Sequence, residues 1–148
     1  MKALIINGPN INFVGIREPG IYGSDTYEDI VALCEKTALE LGFDEVECFQ
    51  SNHEGAIVDK IQEAYGTLCG IVINPAAYTH TSVAILDALK AVRIPAVEVH
   101  ISAVDEREDF RQISYAGMAC FDRVVGEGIQ GYAHALRLLA DVTLGQVM

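Results

Sequence analysis

The sequence predicts an α/β domain built on a doubly wound sheet of five parallel strands. Three observations carry that reading. Short, mostly apolar runs of four to seven residues recur along the chain, of the kind a parallel sheet buries on both faces. Segments of helical period and ten or more residues alternate with them, as βαβ crossovers require. The 148 residues, 51% hydrophobic and 21% charged, suffice for one real core, and residues 1–148 read as a single domain without repeats or linkers.

The first strand is the run ALII, residues 3–6, ended by the turn residues Asn7, Gly8, Pro9 and Asn10. The first helix opens with Thr26 as N-cap and Asp29 three residues on, a capping-box pattern. It carries Ile30, Leu33, Thr37 and Leu41 at helical spacing and closes at Gly42. VECF, residues 46–49, reads as the second strand, and EGAIVDKIQEAYG as a helix with Ile57, Val58, Ile61 and Tyr65 on one face. CGIVIN, residues 69–74, is the third strand. The third helix starts near Thr81 and stops by Ile94, because Pro95 disfavours a helical residue before it. AVEVHIS, residues 96–102, is the fourth strand, followed by a charged run with one short helical turn. CFDRVVG, residues 120–126, is the fifth strand, and the last helix runs from about Tyr132 to Leu144.

Ten basic residues against 21 acidic ones give a net charge of -11, which repels both nucleic-acid phosphates and an anionic membrane leaflet. Cys34, Cys48, Cys69 and Cys120 stand singly with no C-x-x-C spacing, so reduced thiols are expected rather than a disulfide framework or a zinc site. No run approaches 18 apolar residues, and the N-terminus reaches a turn too soon for a signal peptide. The expected location is the cytoplasm.

In doubly wound sheets ligands bind beyond the carboxyl ends of the strands. The polar residues there are Asn7 and Asn10, Gln50 to His53, Asn74 to His80, and His100 to Ser102. Strand alternation puts Glu98, His100 and Ser102 on one face, so a carboxylate is buried in what should be an apolar strand. Glu98 either orients His100 for acid–base work or forms a satisfied core pair with it. The stretch NPAAYTHTS places caps and backbone N–H groups at a helix start, an anion site, with His80 as a ligand contact or an exposed cap residue. Asp87, two turns into that helix, reads as a surface residue. Arg107 and Arg111, four apart, either pair with neighbouring acids or supply cations to an anionic substrate. The lysines fall on the N-terminal stub or on helix surfaces, which leaves a Schiff-base mechanism without a residue.

The long segment NGPNINFVGIREPGIYGS exceeds the usual strand-to-helix connection, about 2–6 residues, and reads as a lid or a surface segment. Arg17 and Tyr22 lie on it, and a cation beside a tyrosine favours the phenolate.

Taken in order, NGPNIN, REPGIYGS, FQSNHEGAIVDKIQEA, INPAAYTHTSVAILDAL, EVHIS, REDFR-x-x-SY and GIQGYAHAL resemble the type II 3-dehydroquinate dehydratases, or type II dehydroquinases, from Ala3 to about Ala140. The resemblance implies a flavodoxin-like sheet of order 2-1-3-4-5 and trimers assembled into a dodecamer. It implies loss of water from 3-dehydroquinate to give 3-dehydroshikimate, a step of the shikimate pathway, by anti elimination through an enolate without metal or organic cofactor. In the roles it carries over, Tyr22 removes the proton alpha to the ketone, with Arg17 and Arg107 lowering its pKa. Asn10 stabilises the enolate through a held water, and His100, oriented by Glu98, protonates the departing hydroxyl. Asn74 and the backbone N–H groups of Ile101 and Ser102 take the substrate carboxylate. Arg111 and His80 take ring hydroxyls, and Asp87, in place of its surface reading, reaches a neighbouring subunit's site. Three departures stand out: Asp105-Glu106 where many relatives have His-Ala, Gln112-Ile113 in place of a basic or histidine pair, and Ala76 in place of a common glycine.

The rival reading is a non-catalytic flavodoxin-like module that binds a small carboxylic acid. A phosphoacceptor receiver would want acidic residues where Asn7 and Asn74 stand, and a flavin carrier would want a Ser/Thr-rich loop after the first strand. A metal hydrolase on Glu98, His80 and His100 would lose activity on chelation.

Overall fold

A computed structural model describes residues 1–16, 25–67 and 69–145. Arg17 and Tyr22 therefore lie outside the described residues. The strands are β1 (Lys2–Asn7), β2 (Glu45–Gln50), β3 (Cys69–Asn74), β4 (Ala96–His100) and β5 (Asp122–Val125), all parallel and in the order 2-1-3-4-5. The helices are α1 (Tyr27–Leu41), α2 (Glu54–Glu63), α3 (Val83–Val92) and α4 (Gln130–Thr143).

Alternation along the strands divides the core in two, as a sheet covered on both faces demands. Ala3, Ile5, Val72, Val97 and Val99 pack against Ile30, Cys34 and Ala38 of α1 and Leu136 and Leu139 of α4. Leu4, Ile6, Ile71 and Ile73 pack on the other face against Ile57 and Ile61 of α2 and Ile85 and Leu89 of α3. Each fully buried isoleucine contributes about 1.5–3 kcal/mol relative to exposure. The sheet needs no polar face.

The predicted capping box holds α1 at its start: Asp29 N–H donates to Thr26 Oγ1 at 3.2 Å, and Thr26 N–H donates to Asp29 Oδ2 at 2.9 Å. Gly42 ends it with φ of 106°, a conformation that favours glycine. The buried stripe of α1 is Ile30, Cys34, Thr37 and Ala38, with Leu33 only half-buried and Leu41 partly buried against the same core. In α2, Ile57 and Ile61 are buried as predicted, but Tyr65 is 71% exposed. The helix ends at Glu63, so Tyr65 leaves the inner face.

Several boundaries also differ from expectation: β5 spans Asp122–Val125 rather than 120–126, and α4 starts at Gln130, two residues before Tyr132. A short 3-10 turn, Ala76–His80, intervenes before α3, whose N-cap is Ser82, its Oγ accepting from Ile85 N–H at 2.9 Å. β4 stops at His100, so Ile101 and Ser102 are loop residues. The charged run after it forms two 3-10 turns, Val104–Glu106 and Asp109–Arg111, where one helical turn was expected. All four cysteines are free thiols.

Register brings Asn7, Gln50 and Asn74 side by side at the carboxyl end of the sheet. The sheet's switch point lies there, between β1 and β3. Lys2 and Lys60 both pair with Glu47, while Lys36 and Lys90 are exposed.

Candidate active site

A cleft of about 180 Å³ opens at the carboxyl ends of β1, β3 and β4. Asn10 and Ile11 form one wall, and Asn74, Ala76 and His80 another. His100, Ile101, Ser102, Arg107 and Arg111 complete it. Eight of the sequence-predicted site residues thus meet in one place.

Asn10 adopts a left-handed conformation, φ 69°, which asparagine tolerates better than most residues. Its backbone N–H donates to Asn52 Oδ1 at 3.0 Å, and Gln50 Nε2 donates to the same oxygen at 3.2 Å. The residues after β2 therefore hold the Asn10 turn in place. Asn74 is buried at the end of β3: its Oδ1 accepts from Ala76 N–H at 3.1 Å and its Nδ2 donates to the Tyr132 hydroxyl at 2.9 Å. Burial pushes the Tyr132 phenol up, so it stays neutral and donates its proton to Asn7 Oδ1 at 2.5 Å. One Nδ2 hydrogen of Asn74 remains for a ligand.

Beneath the cleft lies Glu98, fully buried. His100 Nε2 donates to its Oε2 at 2.6 Å, and the Thr79 and Ser114 hydroxyls each lie 2.6 Å from the same oxygen. Arg123 Nε donates to the other oxygen, Oε1, at 2.9 Å. Burial alone would raise the Glu98 carboxyl, but His100, Ser114 and Thr79 outweigh it and hold it down to about 2. An ionised carboxylate so placed fixes the His100 tautomer: Nε2 carries the hydrogen toward Glu98, and Nδ1 is the ring nitrogen left for the cleft. Gly117 completes the packing, since a Cβ there would stand 2.6 Å from Glu98 Oε1.

This carboxylate links stability to pH with a definite sign. Its folded value lies below the ordinary 4.5, so the stability it contributes is fully present above about pH 4.5 and is lost as pH falls toward 2. Thermal melts of the wild type and Glu98→Gln followed by circular dichroism should converge as pH drops from roughly 5 to 2, with the wild type falling more steeply. Parallel curves would show that Glu98 is not the titrating group.

His80 Nδ1 lies 2.8 Å from the Ile113 carbonyl, which can only accept, so Nδ1 carries the hydrogen. Burial, the nearby His100 and Arg111 lower its pKa and favour the neutral ring, which offers Nε2 as an acceptor. Its ring stacks 6.4 Å from that of His100. His80 is therefore a cleft residue, not a helix cap. Ile113, one of the departures, takes part through its backbone, and the two Gln112 Nε2 hydrogens are shared among the carbonyls of Val104, Arg107 and Glu108 at 3.2–3.3 Å. Gln112 thus ties together the loop that carries both arginines.

Arg107 Nη1 lies 3.5 Å from Ser102 Oγ. Glu108 accepts from Arg111 Nε and sits 3.9 Å from Arg107 Nε, so the expected pairing with neighbouring acids and a place in the cleft coexist. Asp105 turns away from both and pairs with Arg123 at 3.1 Å.

Asp87, expected to reach a neighbouring subunit's site, is exposed on α3 and lies outside the cleft of its own chain. One expectation falls elsewhere. Thr79 is buried and donates its hydroxyl to Glu98, so it does not serve the expected anion site at the start of α3. Ala76, one of the departures, is held at φ 54°, a left-handed conformation that costs an alanine about 1–2 kcal/mol.

Sequence reasoning missed Thr79, Ser114, Arg123 and Tyr132 as partners of the site. A signal existed for one of them. Glu98 and Arg123 are charged residues within adjacent apolar strands, and the register places them opposite one another.

The profile of the family described as dehydroquinase class II matches residues 1–140. A 3-dehydroquinate dehydratase of Lachnospira eligens is 56% identical over 146 residues, covering 97% of this chain and 99% of its own. The crystal structure of a type II dehydroquinase from Butyrivibrio crossotus, 55% identical, superposes with a TM-score of 0.90 over 94% of this chain and 97% of its own. A second, from Propionibacterium acnes, is 40% identical with a TM-score of 0.89, covering 94% of this chain and 95% of its own. With its sheet order, its cleft and its matched length all in agreement, the chain belongs to the class II dehydroquinase family.

Proposed function

We propose that this protein is a hydro-lyase that dehydrates 3-dehydroquinate to 3-dehydroshikimate, acting in the shikimate or quinate pathway. The observation that carries the reading is the ionised, fully buried Glu98 hydrogen-bonded to His100 on the floor of a cleft lined by Arg107 and Arg111. In a chain of net charge -11, two arginines at one cleft make it suitable for a carboxylate.

Tyr22 takes the proton alpha to the ketone, its phenolate favoured by Arg17 and Arg107. The charge that develops on the carbonyl oxygen is stabilised through Asn10 and a water it holds. His100, as the imidazolium with Glu98 as its counter-ion, gives the Nδ1 proton to the leaving hydroxyl, which departs as water and leaves the neutral ring with Nε2–H on Glu98. The substrate carboxylate lies on the Asn74 amide and the backbone N–H groups of Ile101 and Ser102, and Arg111 and His80 orient the ring hydroxyls. The segment bearing Tyr22 closes over the substrate and excludes water that would screen Arg17. Asp87, exposed on α3, completes the site of a neighbouring subunit in a trimer, and four trimers form the dodecamer. The exposed Val83, Phe110 and Ile113 give that association apolar surface to bury. Among the described residues no helix is long and apolar enough to cross a membrane, and the cytoplasm is the proposed location.

Purified protein added to 3-dehydroquinate in the presence of a chelator should produce a steady rise in the ultraviolet absorbance of the conjugated enone. Folded protein that gives no rise would overturn the proposed reaction and leave the carboxylate-binding module as the reading to test.

A further inference from the structure

We propose that Arg123 is a positioning residue that fixes the Glu98–His100 pair and anchors the loop carrying Arg107, a role that rests on reading His100 as the proton donor. Arg123 lies opposite Glu98 in the β4–β5 register. Its Nε donates to Glu98 Oε1 at 2.9 Å, and its Nη1 donates to Asp105 at 3.1 and 3.4 Å to the two carboxylate oxygens. Its side chain is 30% exposed while Glu98 is fully buried, so the guanidinium spans from the sheet interior to the loop.

Two consequences follow from this geometry. With His100, Thr79 and Ser114 all on Oε2, Arg123 on Oε1 stops the carboxylate from rotating and so aims the His100 ring. The guanidinium also places a positive charge behind the carboxylate that faces the imidazole. It offsets part of the carboxylate's negative charge, so its removal leaves more of that charge to the imidazole. The other charged or titratable groups around the pair are His80, stacked on His100, Cys120, whose thiol is pushed up to about 12 by burial and the Glu98 charge, and Arg107 and Arg111 in the cleft. Asp105 belongs with them, since a change at Arg123 releases it together with the loop that carries Arg107; Asp105→Asn, which frees the loop and leaves Arg123 on Glu98, separates that effect from the one on the pair. Asp105, two residues before Arg107, is one of the departures from the family pattern, and Arg123 lies outside the seven motifs that carry the resemblance. The pairing links β5 to the arginine loop.

The test compares Arg123→Met, Arg123→Lys and Asp105→Asn with the wild type. It reads kcat and KM against pH, and the titration of His100 by NMR of labelled histidine in ligand-free protein, with His100→Gln assigning the signal. For Arg123→Met, kcat near neutrality should fall roughly tenfold. Its alkaline limb and the His100 midpoint should move up together by on the order of 0.5–1 pH unit. Arg123→Lys, which keeps the charge and loses the fork, should restore most of the midpoint. Asp105→Asn should raise KM several-fold with the midpoint unmoved, because only the loop loses its anchor. An unmoved midpoint in Arg123→Met overturns the proposal, even if the melting temperature falls. If Arg123→Met does not fold, Arg123→Gln, which retains N–H donors without the charge, is read by the same criterion. A wild type without turnover would refute the reaction, and the NMR midpoint would still decide the effect of Arg123.

Discussion

His100→Gln lowers kcat for 3-dehydroquinate dehydration by roughly 10²–10⁴-fold, the range for loss of a positioned general acid. Glutamine suits the test because its amide N–H can replace the imidazole Nε2–H that donates to Glu98 at 2.6 Å. The buried carboxylate keeps a donor there, along with Thr79, Ser114 and Arg123, and the large cost of an unpaired buried charge is avoided. What glutamine lacks is a proton to give. The leaving hydroxyl must then depart as hydroxide or find a proton in solvent, so the loss falls on kcat, with KM within a few-fold of the wild type. A steady-state assay separates the two parameters. A variant whose kcat stays within tenfold of the wild type removes His100 from the proton-donor role.

Tyr22→Phe is expected to abolish measurable turnover while a non-reactive analogue of the substrate still binds. A phenol titrates at about 10 unperturbed, so a base working near neutrality needs a shift of roughly 2–3 units, equivalent to roughly 3–4 kcal/mol. Arginines in a closed site, where water no longer screens them, are the source of that energy in the proposed mechanism. Phenylalanine fills the same space and removes only the oxygen. Analogue binding by calorimetry should therefore change by less than about tenfold, and turnover near the wild-type rate would strike Tyr22 as the base.

Much of the fold was legible because its signals are local. β3 was read at its observed limits, residues 69–74, since an unbroken apolar run admits little else. The capping box at Thr26 and the glycine stop at Gly42 need only short-range hydrogen bonds and one positive φ. The stripe on α1 was misread at Leu33, because helical periodicity permits two neighbouring faces and only packing against the sheet selects the one with Cys34 and Ala38. Tyr65 was misplaced for a related reason: its spacing is helical, but the helix has ended before it.

For the site, the chain's own alternation identified Glu98 and His100 as polar intruders in a buried strand, and the rule for parallel sheets located the cleft. The alternation of elements, the family and the identity of most cleft residues are thus written in the chain, because they follow from periods, caps and collinear motifs. What surrounds those residues comes from packing. Thr79 turned from a helix-start hydroxyl into a partner of Glu98, Asp105 was drawn from the arginine loop to Arg123, and Gln112 became the tie across that loop. The bonds of Thr79 and Asp105 join residues 18 or 19 apart that meet because β4, β5 and their connections pack together, while that of Gln112 closes a turn within one loop. A buried carboxylate takes whichever donors that packing brings within reach, and periodicity carries no record of them.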